Sequence, residues 1–358
     1  VQHIFFTMLY AVIGDKVLMV MNRMIWREYC RSDVIIICHD QVDCVFGYKL
    51  LLSPIYLTFL AKTLNIPIVF YANGTYKPKS RLWKILARYV LNNVDLITIR
   101  EEESFKFLKT IAGNKAPIYL TADPAILLSP INHDEARRIA AEEGINRGDD
   151  LLIGVTLTRS TLLSAYPEFR NLEDRYNKAL TAVAKFFDDL INSINAKIIF
   201  LPHCIEHYEK RDDRDVARNI LNLMQNKHKV VLITKEYSPQ ELKGLMGFFD
   251  LFIGARVHSV VGALSMGVPS ITLTKPSFYT MRPYGIIGGT LNQKDWIYNI
   301  ENLEPENLLS RIIDLLSLRN EVRKNLVPEI ESAKKKALLN GKLLKALLDS
   351  RKKSAISK

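Results

Sequence analysis

The chain of 358 residues is long enough for two domains, and its 48% hydrophobic and 24% charged residues are typical of a globular protein. This composition excludes a disordered or collagen-like chain, and four cysteines without a CxxC pair exclude a disulfide framework and favour a reducing, cytoplasmic location. The net charge is +11, and residues 319–358 contribute +8 of it, with 12 Lys and Arg against 4 Asp and Glu.

The first part of the chain alternates short apolar runs with helical patterns. Strands are predicted at Asp33–Cys38, Ile66–Tyr71, Leu96–Ile99 and Ile118–Leu120, and helices at Ser53–Leu64, Ser80–Asn92 and Glu101–Leu108. Residues 131–149 are polar and helical and are interpreted as the end of this domain or as a linker. The first domain is therefore predicted to span residues 1–149.

The same alternation restarts after residue 149. Strands are predicted at Leu151–Thr156, Lys197–Leu201, Val230–Ile233, Leu251–Gly254 and Ser270–Thr274, and helices at Leu172–Ile194, Asp213–Gln225, Ser238–Met246 and Ser259–Met266. The second domain is placed at 150–303, and 304–358 are predicted to form C-terminal helices and a basic tail. Alternating strands and helices predict an α/β fold with two doubly wound, Rossmann-like domains and a ligand cleft between them.

The segment Phe249–Leu273 carries the strongest functional signal. Arg256 and His258 follow the predicted strand that ends at Gly254, directly before a helix. A helix N-terminus and an arginine favour an anion such as phosphate, and a histidine moves protons near neutral pH. The alternative is a capping arginine and a core histidine.

Other candidates follow the neighbouring predicted strands of the second domain. Arg159 follows the first of them and is expected at the same edge, with an ordinary loop arginine as the alternative. His203 and His207 are four residues apart, but they lack a third ligand, so His203 is interpreted as a cleft residue rather than a metal ligand. Asp212 and Asp213 are interpreted as helix N-terminal residues.

A loop-like segment follows the last predicted strand of this domain. Its Lys275, Tyr279 and Arg282 are candidates for holding an anion or a sugar, with a solvated loop as the alternative. Asn73 and Arg100 stand at strand ends in the first domain and are further candidates for substrate binding, although Arg100 also fits a charged helix start. The chain contains no GxGxxG, P-loop, GxSxG or HExxH pattern, which disfavours a dinucleotide oxidoreductase, a P-loop kinase and a serine hydrolase.

Three segments resemble the polysaccharide pyruvyl transferase family. The first is a strand that ends in the glycine-containing loop YANGTYKPKSR, followed by a helix, by VDLITIREEESFKFL and by the Asp-Pro-Ala of TADPAILL. The second is GVTLTR, and the third and most specific is DLFIGARVHSVVGALSMGVPSI. Together they span about residues 33–275. The sequence Ile37-Cys38-His39-Asp40-Gln41 stands where the family has a glycine-rich loop, which is a departure on the acceptor side.

The resemblance implies a GT-B-type arrangement, with the acceptor bound by the first domain and the donor by the second. It implies transfer of the pyruvyl group of phosphoenolpyruvate to two hydroxyls of a sugar, which forms a ketal and releases phosphate. The acceptor would be a glycan or a lipid-linked glycan precursor of a cell-envelope polysaccharide. Arg159 and Arg256 would bind the phosphate and carboxylate, and His258 would move a proton. No metal or cofactor beyond the donor substrate is expected.

Two alternatives remain open at this point. One is a GT-B-type glycosyltransferase with a nucleotide-sugar donor, which the absence of an acidic residue from the helix SVVGALSMG disfavours. The other is a non-catalytic sugar- or phosphate-binding protein. The basic C-terminal region is a candidate for peripheral contact with an anionic membrane at its cytoplasmic face, or else a solvated helix. No nucleic-acid partner is expected, because no basic stretch is interleaved with aromatic residues.

Overall fold

The computed structural model describes residues 24–38, 52–75, 81–113, 116–206, 212–275 and 282–356. Two compact units divide the chain: one contains residues up to Pro124 together with residues 335–358, and the other contains residues 125–334. None of the described helices is both long and apolar enough to cross a bilayer. The apolar stretch at the beginning of the sequence lies outside the described residues.

The first unit contains a four-stranded parallel sheet in the order β1-β2-β3-β4. Its strands are β1 (Ile35–Ile37), β2 (Ile68–Asn73), β3 (Leu96–Ile99) and β4 (Ile118–Leu120), and its helices are α1 (Met24–Arg31), α2 (Leu52–Thr63), α3 (Arg81–Asn93) and α4 (Glu102–Ala112). One hydrophobic cluster joins alternate strand residues, such as Phe70 and Ile97, to buried residues of α3 such as Trp83. Burial of these apolar side chains is the main stabilising contribution to this layer.

The second unit contains a six-stranded parallel sheet in the order β10-β9-β8-β5-β6-β7. Its strands are β5 (Leu151–Thr156), β6 (Ala196–Phe200), β7 (Val230–Leu232), β8 (Leu251–Gly254), β9 (Ser270–Thr274) and β10 (Ile297–Asn299). Its helices are α5 (His133–Glu142), α6 (Arg159–Leu162), α7 (Leu172–Ile194), α8 (Asp213–Leu223), α9 (Pro239–Met246), α10 (Val257–Ser265) and α11 (Pro305–Ser317). The strand order reverses between β5 and β8, the kind of switch point at which open α/β sheets bind ligands.

The last helix, α12 (Arg319–Ile356), begins in the second unit and ends in the first. Leu326, Ile330, Ala333 and Ala337 are buried along it, at the spacing of one helix face. In the first unit, Asn340 is fully buried, accepts a hydrogen bond from Thr121 Oγ1 at 3.0 Å and donates one to the carbonyl oxygen of Ala122 at 3.0 Å. Residues 304–358 therefore do not form a separate third body.

Residues 125–149 belong to the second unit, although the sequence predicted a boundary after residue 149. The contacts explain this difference: the Ile131 amide donates to the Gln240 carbonyl oxygen at 3.2 Å, and Arg147 forms a salt bridge of 3.0 Å with Asp250. The sequence predicts the end of the first domain or a linker here, because the partners of this polar, helical segment lie about a hundred residues further along the chain.

The predicted alternation of strands and helices is confirmed in both units. The structure adds elements that local patterns did not predict: α1, the short helix α6, β10 and a π-helical segment at Pro283–Thr290. These are short or irregular, so they carry little periodic signal.

Candidate functional site

The carboxyl ends of three adjacent strands bring the strongest candidates of the second unit to one edge of its sheet. Thr156 of β5 pairs with Gly254 of β8, and Val155 pairs with Phe200 of β6. The pairing continues past β8, because the Ala255 amide donates to the Thr156 carbonyl oxygen at 2.8 Å. The loops that carry Arg159, His203 and Arg256 therefore leave the sheet side by side.

Close packing sets the position of the turn that carries Arg256. A Cβ on Gly254 would lie 2.3 Å from Cγ2 of Val260, so α10 approaches the end of β8 to a distance that only glycine permits. Arg256 is the N-cap residue of α10, and its carbonyl oxygen accepts a hydrogen bond from Ser259 Oγ at 2.8 Å. The guanidinium is thereby held beside a helix N-terminus, where free amide groups favour an anion.

Asp213 binds the guanidinium of Arg256 through two parallel hydrogen bonds. Nε of Arg256 donates to Oδ2 of Asp213 and Nη2 donates to Oδ1, both at 2.8 Å. The Asp213 side chain is 3% exposed and that of Arg256 is 29% exposed. Burial alone would lower the pKa of Arg256, but the hydrogen bonds and the charge of Asp213 raise that pKa above its usual value. Arg256 is therefore a fixed cation that remains partly accessible.

The same carboxylate also organises the loop after β6. Oδ2 of Asp213 accepts hydrogen bonds from the amides of His203 at 3.0 Å and Cys204 at 2.9 Å, and the Asp213 amide donates to the Cys204 carbonyl oxygen at 2.9 Å. One buried carboxylate thus fixes the loop after β6 in relation to the turn after β8.

The two histidines at this edge differ in their surroundings. His258, on the first turn of α10, is exposed. His203 is largely buried, and burial, with smaller contributions from the positive charges of His258 and Arg256, lowers its pKa to about 4. Nδ1 of His203 is buried and makes no hydrogen bond among the described residues. At neutral pH, His203 is therefore an uncharged imidazole.

Arg159 lies at the same edge but contacts a different group of side chains. Its Nη2 donates to Oε1 of Glu173 at 2.6 Å, and its guanidinium lies 3.9 Å from the ring centroid of Tyr176. An adjoining pocket of about 320 Å³ is lined by Arg159, Tyr176, Asp212, Asp215, Val216, Arg218 and Asn219. Arg159 thus faces the start of α8 on the side of Asp212, whereas Arg256 contacts Asp213.

The remaining candidates of the second unit follow β9. Lys275 directly follows this strand, which pairs with β8, so it leaves the same sheet edge and is partly exposed. Arg282 is the N-cap residue of the π-helical segment and is also partly exposed. Tyr279 lies outside the described residues.

Asn73 and Arg100 lie in the first unit and are both buried, at 1% and 7% exposure. Nδ2 of Asn73 donates to the Ile37 carbonyl oxygen at 2.9 Å, and Nη1 of Arg100 donates to Oδ2 of Asp123 at 3.3 Å. The Arg100 amide donates to the Asn73 carbonyl oxygen at 3.0 Å. These contacts connect the carboxyl ends of neighbouring strands, so both residues support the loops at that edge.

The sequence profile of the polysaccharide pyruvyl transferases matches residues 10–274. This match covers nearly three quarters of the chain and includes Arg256, His258 and Asp213. The chain belongs to the polysaccharide pyruvyl transferase family.

A protein of polysaccharide biosynthesis is similar to most of this chain. AmsJ, an amylovoran biosynthesis protein of Erwinia amylovora, is 20% identical over 267 residues, which cover 74% of this chain and 61% of AmsJ. The chain thus matches only about three fifths of the length of that relative.

The fold of this pyruvyl transferase family member is similar to that of solved GT-B-type proteins. UDP-GlcNAc 2-epimerase from Neisseria meningitidis, bound to UDP-GlcNAc, superposes with a TM-score of 0.55 at 14% identity over 88% of this chain and 76% of the epimerase. Anabaena HepE in complex with UDP superposes with a TM-score of 0.52 at 12% identity over 91% and 81% of the two chains. At these identities the likeness shows the fold alone, and the predicted fold class is confirmed.

The family motif contains Arg256 and His258, but sequence reasoning missed the second role of Asp213. Asp212 is indeed the N-cap residue of α8, and Asp213 is the first residue of its first turn, as predicted. A second aspartate at a helix start was the available signal, because one N-cap carboxylate is sufficient there. Among the described residues, no group of three or more His, Cys, Asp or Glu side chains is arranged to hold a metal ion. His207 lies outside the described residues.

Proposed function

We propose that this protein transfers the pyruvyl group of phosphoenolpyruvate to two hydroxyls of one sugar and releases inorganic phosphate. Membership of the family supports the reaction class. The choice of active-site residues rests on the Arg256–Asp213 pair at the N-terminus of α10, with His258 on the first turn of the same helix. Phosphoenolpyruvate carries a phosphate and a carboxylate, which a fixed cation and a helix N-terminus can bind. Its reaction also needs proton transfer, which an imidazole can provide.

In the proposed first step, C3 of phosphoenolpyruvate accepts a proton and C2 becomes electrophilic. A sugar hydroxyl attacks C2 and loses its proton, which leaves a phosphorylated hemiketal. A second hydroxyl of the same sugar then displaces phosphate from C2, and its proton leaves with the phosphate, so that the products are a cyclic ketal and inorganic phosphate. His258 is the proposed proton carrier, because it is exposed beside the anion-binding turn.

The cations at this edge have proposed roles in binding and in charge stabilisation. Arg256 and the amides at the start of α10 would stabilise the charge that grows on the leaving phosphate. Arg159, Lys275, Tyr279 and Arg282 are proposed to bind the donor carboxylate or the sugar. His203, held neutral, is proposed to line the substrate-binding edge from the loop after β6.

The proposed reaction consists of proton transfers and one displacement, so its balance needs no redox cofactor. Phosphoenolpyruvate is the donor substrate, and the chemistry has no formal requirement for a metal. Asn73 and Arg100 are proposed to shape the acceptor side from the first unit. The role of AmsJ in amylovoran biosynthesis supports a polysaccharide, or a precursor of one, as the acceptor.

The test is sugar-dependent phosphate release from phosphoenolpyruvate, with pooled lipid-linked and nitrophenyl sugars as acceptors and UDP-sugars as control donors. We expect release by the wild type and a loss of at least about a hundredfold in His258→Ala, as is typical for removal of a general acid or base. His228→Ala is the matched control, because His228 is an exposed histidine of the same unit outside the site.

UDP formation from a control donor without phosphate release would contradict the proposal and favour the glycosyltransferase. If neither phosphate nor UDP is released, calorimetry of phosphoenolpyruvate binding tests the donor assignment. Binding by the wild type that is lost in Arg256→Ala supports the donor assignment, and no binding by the wild type overturns it.

A further inference from the structure

Helix α3 of the first unit exposes an apolar row that the fold does not use. Leu82, Ile85 and Tyr89 are 56%, 66% and 48% exposed. Their spacing of three and four residues places them on one helix face. The inner face of α3 buries Trp83, Ala87, Val90 and Leu91 instead. The outward row therefore adds nothing to the core, and a contiguous exposed apolar row of this kind marks an interaction surface.

The charges on α3 have one sign. Arg81, Lys84 and Arg88 are all exposed, and the helix RLWKILARYVLNN contains no acidic residue. The neighbouring helix α4 is different, since its Lys106 forms a salt bridge of 2.8 Å with Glu102 on the same helix. The cations of α3 thus flank the apolar row without a carboxylate in their own helix.

A groove between α3 and α4 extends this surface. Its volume is about 250 Å³, and it is lined by Lys84, Ile85, Arg88, Phe107, Thr110 and Ile111. Two cations and three apolar side chains lining one groove suit a ligand with an anionic head and an apolar body. Lipids of an anionic bilayer have this chemistry.

We propose that α3 docks on the surface of an anionic lipid bilayer. Leu82, Ile85 and Tyr89 enter the interface between headgroups and acyl chains, and the flanking cations contact lipid phosphates. Charge complementarity favours a bilayer over a second copy of this chain, because two such faces would repel each other. This surface shares no residue with the basic part of α12, and vesicle binding does not depend on the proposed catalytic activity.

The test is flotation of the full chain with vesicles of phosphatidylcholine that contain or lack phosphatidylglycerol. We expect binding only to the anionic vesicles, weakened by added salt. Replacing Lys84 and Arg88 by Gln is expected to lower the partition coefficient about fivefold for each cation. Replacing Leu82, Ile85 and Tyr89 by Ser is expected to lower it more than tenfold, because the buried apolar area is lost.

Matched controls separate this surface from general hydrophobicity and from the basic tail. Leu172→Ser with Leu223→Ser removes apolar side chains of similar exposure, 57% and 51%, from the second unit and is expected to leave binding unchanged. Lys335→Gln with Lys342→Gln removes exposed cations of α12. Absence of anionic vesicle binding overturns the proposal. So does binding that the α12 variants abolish and the α3 variants leave intact, or a concentration-dependent dimer that only the α3 variants dissociate.

Discussion

Asp213 is the residue on which the geometry of the candidate site depends most. Its carboxylate accepts hydrogen bonds from the Arg256 guanidinium and from two backbone amides of the loop after β6. A buried carboxylate is stable only when it is paired in this way. Removing its charge would leave Arg256 partly buried without its bidentate partner, so stability and anion binding should fall together.

We therefore expect Asp213→Asn to lower the free energy of unfolding by about 2 to 3 kcal/mol and to raise KM for phosphoenolpyruvate about tenfold or more. The stability loss is set below that of a fully buried pair because 29% of the Arg256 side chain is exposed. Asp189→Asn on α7 is the control, since the Asp189 side chain is 36% exposed and pairs with Lys185 at the surface, outside the site. Chemical denaturation and steady-state kinetics measure both effects. Equal values for the two variants would contradict the role assigned to Asp213.

His203 predicts a pH dependence of stability. Its pKa is about 4 in the folded protein, against its usual value of 6.5. Between these two values the unfolded chain binds more protons than the folded one, so stability falls as the pH falls from about 6.5 towards 4. His203→Gln should flatten the pH dependence of the free energy of unfolding over this range. His228→Gln, at an exposed site, should leave that pH dependence unchanged. Identical pH profiles of the wild type and His203→Gln between about pH 6.5 and pH 5 would show that His203 is not held neutral.

At the scale of single residues, the strand–turn–helix pattern correctly predicted Arg256 and His258 at the carboxyl end of a strand. The pairing of Arg256 with Asp213 was not visible in the sequence, because 43 residues separate them and only the order of β8, β5 and β6 brings their loops together. Local patterns predict where a side chain leaves an element, and the sheet order decides which side chain it meets.

The junction of β8 and α10 is the element that positions the anion-binding turn. Gly254→Ala places a Cβ 2.3 Å from Cγ2 of Val260, so either the strand or the helix must shift. We expect a loss of about 1 to 3 kcal/mol in the free energy of unfolding. Gly262→Ala, within α10, is the matched control, because its Cβ meets the flexible end of Met246, with Sδ at 2.9 Å, and gains helix propensity. A Gly254→Ala protein as stable as the Gly262→Ala protein would mean that the junction is not tightly packed.

The start of α4 predicts a second, opposite pH dependence. Glu101 caps this helix by accepting hydrogen bonds from the Ser104 amide, and burial raises its pKa to about 7, against its usual value of 4.5. The folded protein therefore keeps a proton that the unfolded chain releases, and stability falls as the pH rises from about 4.5 to 7. Glu101→Gln should remove this fall and be more stable than the wild type at about pH 8.

Glu102→Gln is the control for this measurement. The pKa of Glu102 is lowered by its hydrogen bond to Lys106, so Glu102 cannot cause a fall in stability as the pH rises. If Glu101→Gln follows the wild-type pH profile of denaturation, Glu101 titrates near its usual value. Because Glu101 belongs to the first unit and His203 to the second, unit-specific probes such as hydrogen exchange separate the two pH dependences.

At the level of elements, apolar runs and helix periodicity predicted almost every strand and helix of both sheets. The exceptions have physical reasons. The segment Lys275–Gly285 is predicted to be loop-like because it carries no helical pattern, yet its last residues begin a π-helical segment, Pro283–Thr290. The strand β10 has only three residues and is positioned by pairing with β9.

For the whole molecule, the alternation of elements was sufficient to predict two Rossmann-like units but not the return of the chain to the first of them. Residues 335–358 belong with the N-terminal sheet, and the contacts that place them there join positions more than 200 residues apart. Arg351, for example, donates to Asp95 at 2.9 Å. No local pattern carries information about such a contact, so the sequence predicts that residues 304–358 are separate from both domains.

Substitution of Asn340 tests the contact between α12 and the sheet of the first unit. It is fully buried, and its side chain exchanges hydrogen bonds with Thr121, Ala122 and Ala337. Asn340→Ala leaves buried polar groups of the β4 loop unsatisfied and should cost about 2 to 4 kcal/mol in the first unit. Hydrogen exchange should then speed up in β3 and β4 while β5 and β8 keep their protection, because a unit with its own core opens separately. Lys342→Ala, an exposed change on the same helix, is the control. Unchanged protection of β3 and β4 in the Asn340→Ala protein would mean that the last helix does not stabilise the N-terminal sheet, and equal loss in both sheets would mean that the two units unfold as one.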